Sequence, residues 1–260
     1  MKFSEIKSCY IGPDVSPEQF IPEHFFLFLA KGKMNYFDGS RHHTLYPGEY
    51  CIVRKNYLAR YNKQKENNQF EKIIILFDEA FLKKFQEKHA IIYKEFDSKS
   101  AFLKLNKDLL LDNFIQSLHP YFELSGKIND AFSDLKREEL LLILLKQNPE
   151  FSGIFFDFNS PGKINLQESM QKNYKFNVSI ERFAFLTGRS LSAFKKDFKE
   201  IFNDTPSHWL IKRRLEEAHF LIQKKSKKPN DIYIDLGFED LSHFSFAFKK
   251  QFGVSPSALK

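Results

Sequence analysis

The sequence has almost nothing with which to cross-link itself. Only two of its 260 residues are cysteine, Cys9 and Cys51, which excludes a disulfide framework and fits a reducing compartment. Glycine and proline are scarce at 10 each, which excludes collagenous and low-complexity architectures. The most continuous apolar run, Leu140–Leu145, falls far short of the ~18 residues that a membrane span needs. The opening MKFSEIKSCY lacks the apolar segment of a secretory signal, so the expected location is the cytoplasm. Common catalytic signatures are missing too: there is no P-loop, G-x-G-x-x-G, H-E-x-x-H or nucleophile elbow.

What is present suits a folded chain. Hydrophobic residues make up 42% and charged residues 28%, which rules out wholesale disorder. At roughly 100–200 residues per domain the length suggests two domains. Phenylalanine is abundant, with 31 residues, and 32 of the 40 cations are lysine. The net charge is +7, and all of it lies in residues 161–260, where 18 cations face 11 acids. A cationic module joined to a neutral one points to a polyanion, nucleic acid above all, as partner of the cationic part. The tract Lys224, Lys225, Lys227, Lys228 reads on its own as a solvated loop.

Residues 20–77 read as short strands: Phe25–Ala30, Tyr50–Arg54, Leu58–Tyr61 and Phe70–Phe77. Turns at Lys31-Gly32, Asp38-Gly39 and Pro47-Gly48 break them, the grammar of a small antiparallel barrel or sandwich. Asp78 is placed to cap a helix through Phe81, Leu82 and Phe85. Helical patterns follow at 107–119 and 130–147. The second contains the LLLILL run, which must be buried on nearly every side, either inside its own domain or against a second copy of the chain. The expected division is a domain at residues 1–150, a linker at 151–162 and a helical domain at 163–260.

The most informative feature is a repeat. Shifted by 50 residues, SLSAFKKDFKEIFNDTPS (190–207) overlays DLSHFSFAFKKQFGVSPS (240–257), with eight of 18 positions identical. One supersecondary unit therefore occurs twice. Each copy has a short helix (Ser179–Leu186, Asp231–Leu236) and a turn glycine (Gly188, Gly237). An N-cap (Ser190, Asp240) then opens a second helix, whose paired phenylalanines at i and i+4 mark its buried face. Such a unit is a helix-turn-helix, whose second helix can enter a major groove. Between the copies, a helix from Pro206 to about Gln223 would be a stiff spacer ~26 Å long, able to hold two recognition helices about one DNA turn, ~34 Å, apart.

In these motifs, residues 163–260 resemble the DNA-binding domain of the AraC/XylS transcriptional regulators. The segments that carry the resemblance are SIERFAFLTGRSLSAFKKDFKEIFNDTPSHWL, RRLEEAHFLI and DLGFEDLSHFSFAFKKQFGVSPSALK. The resemblance implies that the first recognition helix presents Ser192, Lys195 and Lys196 to bases. The second would present Leu241, Ser242, His243, Ser245 and Phe246. Lys199, Lys249 and Lys250 would approach phosphates. It also implies double-stranded promoter DNA and RNA polymerase as partners. Two departures stand out. Tyr233 occupies a position, four before the turn glycine, where the family has a small residue such as Ala184. Phe246 replaces a residue that is often basic, so the first copy is expected to supply most of the base specificity.

The N-terminal half resembles the regulatory domain of ExsA-type regulators through EHFFLFLAKGKMNYFDG, LYPGEYCIVRKNYLARYNK and FEKIIILFDEAFLKKF. In the AraC/XylS family this half is commonly a cupin-like barrel that senses a signal or mediates dimerisation; the ExsA-type resemblance implies control by a partner protein, where other relatives bind small effectors. Separately, the apolar run at 140–145 suggests dimerisation through the helices of residues 100–147. The expected fold class is α+β: this barrel with its helices, then an all-α double helix-turn-helix domain. The expected function is a sequence-specific transcriptional regulator, not an enzyme and without a cofactor. The competing reading, a cupin-type enzyme with a basic accessory domain, needs converging metal ligands. His24, His42, His43 and Glu49 are the nearby candidates, and adjacent strand residues His42 and His43 point to opposite faces. Phe26, Phe28, Tyr36 and Phe37 are better placed for core packing than for lining a pocket.

Overall fold

The computed structural model describes residues 6–8 and 19–259 apart from 97, 99 and 125; Cys9 lies outside the described residues. The chain forms two compact units. One takes in residues 6–8 and 21–159, and the other residues 19–20 and 160–259.

Among the described residues the strands are β1 Ile6–Ser8, β2 Phe20–Ile21, β3 His24–Lys31, β4 Lys33–Phe37, β5 His42–Leu45, β6 Glu49–Val53, β7 Tyr57–Leu58, β8 Arg60–Gln64, β9 Glu71–Phe77 and, after the first helix, β10 Phe102–Lys104. They form an antiparallel five-stranded sheet in the order β1-β9-β3-β6-β10, a three-stranded sheet β5-β4-β8 and a two-stranded pair β2-β7. Phe26 pairs with Ile52 and Ile75, and Leu27 with Cys51 and Ile74. Because strand side chains alternate faces, the five-stranded sheet feeds two cores. Phe26, Ile52, Ile73 and Ile75 face one core, shared with the helices. Leu27, Leu29, Cys51 and Val53 face the other, shared with Met34, Tyr36 and Leu45 of the three-stranded sheet. A sheet buried on both faces explains why these strands are apolar at almost every position.

Four helices complete this unit: α1 Glu79–His89, α2 Leu109–Leu118, α3 Asp130–Gln147 and α4 Ser152–Phe155. The Asp78 carboxylate accepts from the Phe81 amide at 2.9 Å and caps α1 as expected. Arg137 of α3, only 2% exposed, holds three elements together. Its Nε donates to the Leu76 carbonyl, one Nη to Asp134 and the other to Asp78. Its guanidinium also lies 4.0 Å from the Phe81 ring centroid. Leu140, Leu141, Leu144 and Leu145 are buried in the helix-side core, so the leucine run is intramolecular filling over most of its circumference.

The expected linker at 151–162 needs correction. Phe151, Ile154, Phe155 and Phe156 are buried in the helix-side core. Gly153, which resembled loop punctuation, is a site of close approach: a Cβ there would lie 2.0 Å from the Lys94 carbonyl oxygen. The unit boundary falls at Asn159/Ser160.

His42 and His43 are occupied by neighbours. His42 stacks on Phe37, and His43 stacks on Tyr36 and meets Asp38 at 3.4 Å. Tyr36 also stacks on Phe102 and Phe26 on Tyr50, so these aromatics pack rather than line an opening. Among the described residues no group of three or more His, Cys, Asp and Glu side chains could hold a metal ion. Nor is any described helix long and apolar enough to cross a membrane.

The second unit is helical: α5 Leu166–Asn173, α6 Ile180–Leu186, α7 Leu191–Phe202, α8 Pro206–Lys225, α9 Pro229–Ile232 and α10 Leu241–Phe252. Against α8 pack α7 on one side of the repeat and α9 and α10 on the other.

Candidate nucleic-acid interface

Each copy of the repeat builds its turn with the same backbone device. In the first, the Arg189 amide donates to the Ala184 carbonyl at 3.0 Å; in the second, the Phe238 amide donates to the Tyr233 carbonyl at 3.0 Å. The residue before each donor is the turn glycine, with φ of 67° at Gly188 and 84° at Gly237, a left-handed conformation that glycine adopts without steric cost. Tyr233 therefore does not abolish the turn. It is half-buried where Ala184 is buried, and the helix before it is a single turn, α9, instead of the two turns of α6. The expected helix at Asp231–Leu236 accordingly begins at Pro229 and stops at Ile232, with residues 233–237 in turn conformation.

Next come the caps. Ser190 Oγ accepts from the Ala193 amide at 3.3 Å and Asp240 Oδ1 from the His243 amide at 2.6 Å, opening α7 and α10. Both helices close alike: Asn203 and Gly253, each left-handed, donate their amides to the carbonyls of Lys199 and Lys249. Phe194 and Phe198 are fully buried in the first copy, Phe244 and Phe248 in the second. The spacer α8 meets each copy with one ring. Trp209 packs on Phe198 and Phe202, and His219 on Phe248 and Phe252. Ten residues separate these contacts, so the copies attach ~15 Å apart along the spacer.

One residue ties the two copies together. Arg214 of α8 is 7% exposed. Its Nε donates to the Tyr174 carbonyl (2.7 Å), and its two Nη groups to the carbonyls of Gly237 (2.9 Å) and Phe176 (2.8 Å). Burial draws its pKa down to about 10, leaving it charged at neutral pH. It thus binds the chain entering the first copy to the turn of the second. The signal was in the periodicity: Leu210, Arg214, Ala218 and Ile222 are successive i+4 positions, all buried. A cation in that row must be satisfied internally.

The expected recognition residues fall as follows. Ser192, Lys195, Lys196 and Lys199 are exposed on one face of α7, at i, i+3, i+4 and i+7. On α10, Ser242, Phe246, Lys249 and Lys250 are exposed and Ser245 is half-buried. Leu241, expected on that face, is half-buried and packs against the core with Ile232 and Phe238; as the first helical residue it points back toward the turn. His243 is exposed, with its ring edge-on to Phe238. Lys195 has the Glu181 carboxylate as an electrostatic neighbour; among the described residues Lys196, Lys199, Lys249 and Lys250 form no salt bridge, whereas Lys163 and Arg189 both meet Asp197. The Arg189 guanidinium holds the Asp197 carboxyl below the usual carboxylate range.

Two capped helix-turn-helix units on one stiff helix, each with cations on its free face, define a DNA-binding transcriptional regulator. Comparison with known proteins gives the family. Residues 24–154 match the ExsA N-terminal regulatory domain, and residues 183–260 match a helix-turn-helix domain. The chain belongs to the AraC/XylS family, in the group that carries the ExsA regulatory domain. It is 27% identical over 233 residues to the virulence regulon transcriptional activator VirF of Yersinia enterocolitica, covering 88% of this chain and 86% of the relative. It is 23% identical over 259 residues to the HTH-type transcriptional regulator ExsA of Pseudomonas aeruginosa, covering 97% and 91%. Among solved structures, ToxT of Vibrio cholerae aligns over 97% of this chain and 95% of its own, with a TM-score of 0.42 and 14% identity.

Proposed function

We propose that this protein binds promoter DNA by placing α7 and α10 in two successive major grooves. Lys195, Lys196 and Ser192 would read bases, and Lys199, Lys249 and Lys250 would neutralise phosphates. The observation that carries this reading is the outer face of α7: three exposed lysines at helical spacing, of which Lys196 and Lys199 form no salt bridge among the described residues, on a helix whose other face is locked by Phe194 and Phe198. A lysine can donate to guanine acceptors in the major groove, and phosphate contacts set register without reading sequence. A gel-shift titration in rising salt is the test. Three phosphate contacts give a slope of log affinity against log salt of about −3. A flat salt response, or no binding to any promoter fragment, would count against it.

The β-sheet unit would regulate that binding, answering a regulatory protein or a small effector, and RNA polymerase beside the bound promoter is the expected downstream partner. A homodimer is supported by the outer face of α3. Phe132, Leu135 and Leu142 are exposed there at i, i+3 and i+10, a stripe at heptad spacing. A second copy of the chain would cover it. Leu142→Glu should yield monomers in sedimentation at tens of micromolar, where the wild type is dimeric; a monomeric wild type defeats the idea.

A further inference from the structure

We propose that Phe246 reads a thymine methyl group, so that the second unit selects thymine beside a lysine-bearing first unit. This rests on the DNA reading given above for α10. Four phenylalanines lie on that helix. Phe244, Phe248 and Phe252 all pack in ring contacts with one another or with Phe238 and His219. Phe246 alone of the four is turned outward. It is 71% exposed, and no ring or cation among the described residues stands against it.

The repeat register makes this position comparable with one on α7, because Phe246 stands 50 residues after Lys196 and Ser245 stands 50 after Lys195. At one turn of the recognition helix the first copy therefore offers two cations, and the second a hydroxyl and an apolar ring. A phenyl ring has no donor for guanine or adenine acceptors. The thymine C5-methyl is the apolar group that a base pair presents in the major groove, and apolar contact is how it is read. The surroundings of the ring match a polyanion better than an apolar protein surface. Ser242 is short and leaves the ring protruding, while Lys249 and Lys250, at i+3 and i+4, place two charges on the same side. Burial of the ring against the methyl recovers apolar area that α10 otherwise leaves in water.

The test uses the full-length chain and a duplex enriched by it from a random pool. Each thymidine in that duplex is replaced singly by deoxyuridine, which removes only the methyl group, and affinity is read by gel shift. The wild type is expected to weaken about three- to fivefold at one or two positions, the size of one buried methyl-sized group. Phe246→Ala should bind the unmodified duplex more weakly by the same factor and show no further loss with deoxyuridine. Lys196→Ala should keep the deoxyuridine sensitivity of the wild type. Phe246 is exposed, so folding of Phe246→Ala is checked by an unchanged thermal midpoint. Wild-type affinity indifferent to deoxyuridine at every position overturns the proposal and leaves the DNA reading intact. So does a Phe246→Ala protein that stays deoxyuridine-sensitive. If Phe246→Ala keeps its DNA selectivity but loses transcription in a reconstituted reaction, the ring serves polymerase and the proposal falls. Binding to no duplex at all removes this proposal together with the reading it rests on.

Discussion

The two helix-turn-helix copies agree where they are buried and differ where they are free. Phe194, Phe198 and Phe202 have their counterparts in Phe244, Phe248 and Phe252, and the closing residues Asn203 and Gly253 are both left-handed. The outer positions have diverged, from Lys195 and Lys196 to Ser245 and Phe246. The inner face must fit a spacer helix that is shared, and close packing tolerates little change in volume. The outer face is not part of the unit's core, so recognition can vary there without refolding the unit. The turns show how far the scaffold itself bends. Copy two has one residue more between glycine and cap and a shorter first helix, yet keeps the same backbone hydrogen bond.

The residue that makes the copies one object offers the strongest way to break this comparison. Arg214→Met would leave the carbonyls of Tyr174, Phe176 and Gly237 without donors in a buried site. The expected cost is about 3–5 kcal/mol, seen as a lowered unfolding midpoint, with DNA binding lost from both copies together. A change below about 1 kcal/mol would show that the copies are not held through this side chain.

Next in size are the turn glycines, which separate the copies. A Cβ at Gly237 would lie 2.7 Å from the Lys175 carbonyl oxygen and 2.9 Å from Arg214 Cζ; at Gly188 it would lie 2.4 Å from backbone atoms of Gly162. Both substitutions also force a left-handed residue, at about 1–2 kcal/mol. Gly237→Ala is expected to cost about 2–3 kcal/mol, because Arg214 is fixed by three carbonyls and cannot retreat. Gly188→Ala should cost less despite its shorter contacts, because residues 162–163 lie in an irregular segment that can shift. Equal losses in chemical denaturation would show that segment to be as rigid as the buried guanidinium.

Much of this was legible in the chain itself, and the failures have physical causes. The strands and capped helices declared themselves through apolar and aromatic runs, turn dipeptides and cap residues such as Asp78 and Ser190, all of which act locally. The buried role of Gly153 did not, because a glycine that ends structure and a glycine that admits a neighbouring backbone look alike in sequence. The half-burial of Leu241 was not legible for a similar reason: the first residue of a helix is placed by its cap rather than by the periodicity that follows. Arg214 was visible as a cation in an apolar row. Its partners are backbone carbonyls up to 40 residues away, and no pattern of residue types encodes them.

On the free faces the expected effects are smaller and act on DNA rather than on stability. Lys195→Ala and Lys196→Ala should each reduce binding to the preferred site by about 1–3 kcal/mol and relax selectivity there, the range of a good base contact. A selection from random duplexes with each variant reads this directly. If selectivity relaxes in the half-site away from these lysines, the division of labour between the copies is reversed.

The smallest expected effect lies where the copies are still alike. Lys199 and Lys249 occupy equivalent positions in the repeat, both exposed, both one turn from the end of their helices, and both with a carbonyl that closes its helix against Asn203 or Gly253. If both ammonium groups meet phosphate, Lys199→Ala and Lys249→Ala should each lower the slope of log affinity against log salt by about 0.9, with an equal loss on every sequence. Equal changes would mean that the repeat preserves its backbone grip while its base contacts diverge. A variant that weakens one sequence more than another would assign that lysine to a base edge and make the corresponding copy a reader over more of its length.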